Sequence, residues 1–173
     1  SKTESSICGL ANGGYAVVWP MDTKVQDPKR GNLQVRFRLV GADGPPIGSE
    51  STEVRTDQDG NHWLARGVCL KSGGFAVTGV YPDDSKSFGV FVQRFDAMGK
   101  AAGEVLKLNT SLDGNQARSM IASSDDGTLA VVWEEADTSQ AAMRIIKPDN
   151  TLSEVILLPK APSGDAKPSV AMI

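Results

Sequence analysis

Glycine-centred turns recur along this chain at a near-constant interval, and that recurrence limits the fold more than any other feature. Gly13-Gly14, Gly73-Gly74 and Asp126-Gly127 each precede an apolar run. Those runs are Tyr15-Ala16-Val17-Val18-Trp19, Phe75-Ala76-Val77 and Leu129-Ala130-Val131-Val132-Trp133. A second turn repeats further along, as Asp43-Gly44, Met98-Gly99 and Asp149-Asn150. Both sets give a period of about 55 residues and keep their order and chemistry. Gly, Asn and Asp tolerate the positive φ that a short hairpin turn demands.

Each repeat divides into four strand-length segments rich in Val, Ile, Phe and Leu. They fall at 5–10, 14–19, 33–40 and 51–56; at 63–70, 74–80, 89–95 and 104–108; and at 117–123, 128–133, 142–147 and 153–158. A thirteenth segment, 168–173, opens a fourth repeat. Gly89-Val-Phe-Val-Gln-Arg-Phe and Val35-Arg-Phe-Arg-Leu alternate over part of their length, as half-buried strands do. Leu129-Ala-Val-Val-Trp is apolar on both faces, which suits a strand between packed sheets. Proline is expected only at segment ends or in loops, Pro20 included, where no ladder bond is lost. No stretch makes a convincing amphipathic helix.

The expected fold is therefore all-β, built of antiparallel four-stranded repeats of β-propeller type: about three blades plus one strand. A β-trefoil is the alternative, since it closes with three units. The chain reads as a single all-β domain with repeats at 1–60, 61–115 and 116–165, and with 166–173 opening the next. Three blades and a strand leave unpaired edges. The expected partners are other copies, or further repeats of a longer chain.

At 173 residues, 40% of them hydrophobic, the chain can bury a real core. A net charge of −3 offers no basic surplus for phosphate binding, so nucleic acid is not an expected partner. No apolar run approaches the roughly 18 residues of a membrane span, so no membrane insertion is expected. Ser1-Lys2-Thr3-Glu4 has no signal-peptide core. A secreted protein would have lost its leader or would carry it outside this chain. Cys8 and Cys69 occupy nearly the same place in successive repeats. A disulfide would need those strands to be neighbours; the expectation is instead two small buried thiols.

The pattern Asn109-Thr110, Gly114-Asn115-Gln116, then Asp126-Gly127-Thr128-Leu129-Ala130-Val131-Val132-Trp133 resembles the tandem repeats of large bacterial secreted and cell-surface proteins. Gly89-Val-Phe-Val-Gln-Arg-Phe-Asp-Ala-Met-Gly99 resembles the third strand and turn of the same repeats. Such proteins often carry adhesin or hemolysin-type calcium-binding modules elsewhere, and the strand order is similar to the blades of sialidase-like propellers. The resemblance implies a secreted or cell-surface scaffold and leaves activity open. The second repeat departs from it, with Gly79 where the others have tryptophan.

Catalysis finds little support. His62 is the only histidine, and it stands where Gln116 stands in the next repeat, so a turn hydrogen-bonding role is expected. No Ser-His-Asp arrangement or phosphate-cradling loop is present. Sialidase-like hydrolysis would need a grouped arginine cluster, and no motif groups Arg36, Arg38, Arg55, Arg66, Arg94 and Arg118. No cofactor is required. Calcium is the one metal the donors suit: Asp57, Asp59 and Asn61 alternate oxygen ligands, although the spacing lacks the glycine and terminal glutamate of an EF-hand. Turn formation explains the same residues. Trp19 and Trp133 end equivalent strands and, with Trp63, are the candidates for stacking on a sugar ring. Their competing role is to fill space between sheets. The reading is a non-catalytic extracellular module with a structural, adhesive or assembly role. A lectin-like carbohydrate-binding module is the alternative, and a sialidase-like hydrolase comes third. Assembly would use the edge at Pro168, Ser169, Val170 and Ala171.

Overall fold

The computed structural model describes residues 5–24, 31–83, 87–110, 114–160 and 167–171. Among them the chain is all-β, with no helix and three four-stranded antiparallel sheets. The first sheet takes β1 (Ser6–Gly9), β2 (Tyr15–Asp22), β3 (Leu33–Val40) and β4 (Thr52–Val54) in chain order. The second takes β5 (Trp63–Cys69), β6 (Phe75–Pro82), β7 (Phe88–Phe95) and β8 (Leu106–Lys107). The third takes β9 (Gln116–Ser123), β10 (Leu129–Glu135), β11 (Gln140–Ile146) and β12 (Ile156–Leu157).

The repeated turns adopt one conformation. Between the first two strands of each sheet, the amides of Gly13, Gly73 and Gly127 donate to the carbonyls of Leu10, Leu70 and Ser124. All three glycines have positive φ, between 85° and 112°. A side chain there would be forced into a left-handed conformation, which explains why the sequence punctuates at these points.

Register makes the sheets comparable position by position. Tyr15 pairs with Val40, Phe75 with Phe95 and Leu129 with Ile146. Tyr15, Phe75 and Leu129 are thus equivalent, as are Val17, Val77 and Val131, and Trp19, Gly79 and Trp133. Side chains alternate across a strand, so each sheet has two faces. The near face turns towards the preceding sheet in the chain and the far face towards the following one.

Apolar packing joins consecutive sheets. Between the first and second lie Ala16, Val18, Val35, Phe37 and Leu39 on one side and Phe75, Val77, Tyr81, Phe91 and Phe95 on the other. Phe37 meets the Phe75 ring edge-on at 5.0 Å, and Phe75 stacks on Phe95 at 5.0 Å. Between the second and third lie Ala76, Val90, Val92 and Leu108 against Leu129, Val131, Trp133 and Ile146. The first and third sheets share neither cluster. Among the described residues no sheet closes on itself.

Three expectations need correction. Cys8 and Cys69 are not separate thiols but a disulfide, with Cα atoms 5.5 Å apart. Equivalent first strands β1 and β5 lie side by side at the sheet boundary, so Cys8 on a far face meets Cys69 on a near face. The expected strand at 168–173 is not formed over its described part, because residues 168–171 lie outside any ladder. Pro20 sits within β2, paired with Val35, rather than at a segment end. The described pairing with β1 ends at Val18, so no described ladder bond to β1 needs the amide hydrogen that Pro20 lacks.

Candidate functional site

The largest departure from the repeat pattern is the near face of the first sheet. On it lie Ile7, Tyr15, Val17, Trp19, Met21 and Val40, paired across β1, β2 and β3. Tyr15 is 41% exposed and Ile7 65% exposed, whereas Phe75 and Leu129, the equivalents of Tyr15, are fully buried. Val17, Trp19 and Val40 are half-buried, while Val77, Val131, Trp133 and Ile146 are buried. Alternation places apolar residues on this face in all three sheets, but only in the second and third does a preceding sheet cover them.

Two arginines frame the face. Arg36 is tied down, its Nε donating to Ser51 Oγ at 2.7 Å and its Nη1 to Gln34 Oε1 at 2.9 Å. Arg38 donates from Nη2 to the Gly48 carbonyl at 2.6 Å, while its buried Nε–H has no acceptor.

A second concavity, with a volume of about 570 Å³, lies at the inner strands of the second and third sheets. Leu64, Arg66, Arg118, Ser119, Met120, Lys167 and Pro168 line it. Leu64 and Arg118 hold positive φ at 54° and 50°. Both sit where the ladder register slips, so these are equivalent bulges in β5 and β9. Arg118 donates to Glu134 Oε2 at 2.9 Å.

The three calcium candidates each have a different partner. Asp57 is paired with Lys107 Nζ at 2.8 Å, and that bond holds its carboxyl below the usual carboxylate range. Asp59 faces Arg55 at 3.6 Å. Asn61 Oδ1 accepts the amides of Asn32 and Leu33, each at 2.9 Å, and so clamps the segment entering β3. No group of three or more His, Cys, Asp or Glu side chains gathers into a metal cluster among the described residues.

The tryptophans separate by environment. Trp133 is fully buried and donates from Nε1 to Glu135 Oε1 at 2.7 Å, so it offers no ring to a sugar. Trp63 is half-buried and meets Phe88 edge-on at 4.6 Å. Trp19 alone of the three lies on the open near face. Pro168, Ser169, Val170 and Ala171 form no strand edge; Pro168 borders the cleft beside Arg118.

His62 is buried and neutral. Its Nε2 accepts from the Thr56 amide at 3.1 Å, and its Nδ1–H donates to the Gly60 carbonyl at 3.1 Å. Burial pushes its pKa down to about 4. A ring with one nitrogen accepting and the other donating inside the same turn is a structural tie.

The geometry defines an all-β protein of three sheets stacked in sequence. No family model matches the chain, and no curated protein matches it. Among solved structures it is similar to the cryo-EM structure of TcdA4 from Morganella morganii, at 13% identity and a TM-score of 0.45. That match covers 94% of this chain and 8% of the other. No helix among the described residues is long and apolar enough to cross a membrane.

Proposed function

We propose that this chain is a non-catalytic extracellular repeat module with a structural and assembly role. The second and third sheets bury their near faces on the sheet before them, and the first sheet offers the same kind of face to a sheet from elsewhere. The observation that carries this is Tyr15, open on the surface at a position where Phe75 and Leu129 are fully buried. An apolar face of this kind, edged by arginines, is the surface that associating proteins cover. The Cys8–Cys69 bond supports an oxidising compartment, where such bonds persist. The one histidine is held neutral within a turn, which supports a scaffold over an acid–base catalyst.

The test is native mass by light scattering across a range of concentrations, for the parent chain and for Tyr15→Lys. Association that Tyr15→Lys abolishes supports the reading. A parent chain that stays at 18.3 kDa at every concentration, indistinguishable from the variant, refutes it. Carbohydrate binding is the competing use of this face, because Trp19 presents an aromatic ring there. A glycan array in which the parent binds and Trp19→Ala does not would favour a lectin instead.

A further inference from the structure

We propose that the cleft at β5 and β9 binds a small molecule through a tetrahedral oxyanion, the phosphate or sulfate group that the molecule carries. The cleft belongs to other sheets than the open near face, and its ligand is independent of what that face meets.

Charge singles the cleft out. The chain carries a net charge of −3, yet Arg66, Arg118 and Lys167 all line this one cavity, and none of its described lining residues is acidic. Two of the three cations are held in place. Arg66 donates from Nη1 to the Ala65 carbonyl at 3.0 Å, and Arg118 donates from Nη1 to Glu134 Oε2 at 2.9 Å. Glu134 is buried and lies outside the lining, so it anchors the guanidinium without presenting a carboxylate to the cleft. Anchored guanidinium groups lose little freedom on binding, and their planar N–H fork suits phosphate and sulfate oxygens.

The second observation is a hydroxyl. Ser119 lines the same cavity, is 2% exposed, and its buried Oγ has no hydrogen-bond partner. The repeat shows that the fold does not need a hydroxyl there. Ser119 follows the bulge residue Arg118 as Ala65 follows Leu64, and Ala65 is fully buried in the apolar cluster between the first and second sheets. Alanine fills this slot in the second repeat, whereas the third keeps an unsatisfied hydroxyl in it, which is costly. A ligand oxygen in the cleft satisfies it. Guanidinium and ammonium groups only donate, and the serine hydroxyl has its proton to give, so the ligand must accept. The donors come from three places in the chain, β5, β9 and Lys167, and so meet a ligand from several sides. A tetrahedral group, with acceptor oxygens in several directions, fits that lining better than a planar, singly charged carboxylate.

Leu64, Met120 and Pro168 supply an apolar part of the wall. A volume of about 570 Å³ exceeds what a bare phosphate fills and falls within the usual range of small-molecule sites, roughly 300–1,000 Å³. The ligand class is therefore an organic phosphate or sulfate with a compact apolar body.

Calorimetric titration of the full chain at constant ionic strength tests this, with phenyl phosphate, phenyl sulfate, benzoate and inorganic phosphate as probes. The first three share a ring and differ in the anion. Saturable binding of phenyl phosphate or phenyl sulfate is expected, tighter than that of benzoate, and the tighter of the two identifies the ester. Inorganic phosphate is expected to bind more weakly than phenyl phosphate, because it leaves the apolar wall uncovered. Ser119→Ala is expected to weaken ester binding by about tenfold while its urea midpoint stays at or above that of the parent, and Arg66→Gln to weaken it by at least as much. Lys71→Gln removes a cation that pairs with Asp125 outside the lining, and is expected to leave the affinity unchanged. A parent chain that binds neither ester saturably overturns the proposal. So does benzoate binding as tightly as the esters, undiminished affinity in Ser119→Ala, or an equal loss in Lys71→Gln and Arg66→Gln, which would mean general charge attraction rather than a site.

Discussion

Reduction of Cys8–Cys69 probes the boundary between the first two sheets most directly. The bond closes a loop between residues 61 apart. Chain-entropy arithmetic gives about 14 cal/mol/K for a loop of that size, or about 4 kcal/mol at room temperature, lost when the denatured chain is released. After reduction the sulfurs stay packed beside the Phe37–Phe75–Phe95 cluster, so little contact energy goes with the covalent link. With a urea slope of about 2 kcal/mol/M, the unfolding midpoint is expected to fall by about 2 M. The assay is equilibrium urea unfolding followed by tryptophan fluorescence, with and without reductant. Cys8→Ala/Cys69→Ala in the absence of reductant serves as the matched control. A shift below about 0.5 M in both would refute the loop-closure account and place the boundary's stability in the phenylalanine contacts instead.

Other consequences follow from single side chains. Burial holds the His62 pKa at about 4 against an ordinary 6.5, so the folded state favours the neutral ring. Its contribution is full above about 6.5 and is lost as pH falls towards 4, costing at most about 3 kcal/mol. Unfolding midpoints measured across that window should fall for the parent, and His62→Gln should flatten the slope. Trp133→Ala should cost about 4 kcal/mol, because it empties a fully buried site, whereas Trp19→Ala on the open near face should cost under about 1 kcal/mol. Thermal or urea unfolding of the two variants makes the comparison, and equal losses would contradict the assignment of the open face. Gly14→Ala should destabilise by about 2 kcal/mol, since its Cβ would stand 2.6 Å from the Val40 carbonyl oxygen. An unchanged midpoint in that variant would show that β2 and β3 can separate locally at little cost.

Much of the strand layout was legible because turn chemistry is local. Gly13, Gly73 and Gly127 announce their positive φ in the sequence, and alternation around Val17, Val77 and Val131 announces which residues share a face. Strand ends were less legible. β2 runs through Pro20, which pairs with Val35 on β3, and that pairing is not visible in β2's own residues. The candidate calcium residues Asp57, Asp59 and Asn61 looked alike in sequence, yet Lys107, Arg55 and the Asn32–Leu33 backbone draw them to different partners. The open face was present in the repeat from the start, since Tyr15 matches Phe75 and Leu129. What was missing was the knowledge that Tyr15 stays 41% exposed where Phe75 and Leu129 are fully buried.

Sequence by itself determined the all-β class, the period and the alternation, since these depend on φ preference and on side-chain direction along a strand. Only the tertiary structure decided that Cys8 meets Cys69, that Trp133 is buried while Trp19 is not, and that Tyr15 is exposed where Phe75 and Leu129 are buried. Those outcomes depend on which sheet lies against which. Equivalent residues in a repeat have the same local chemistry and differ only in their neighbours, and neighbours are set by how sheets stack in space.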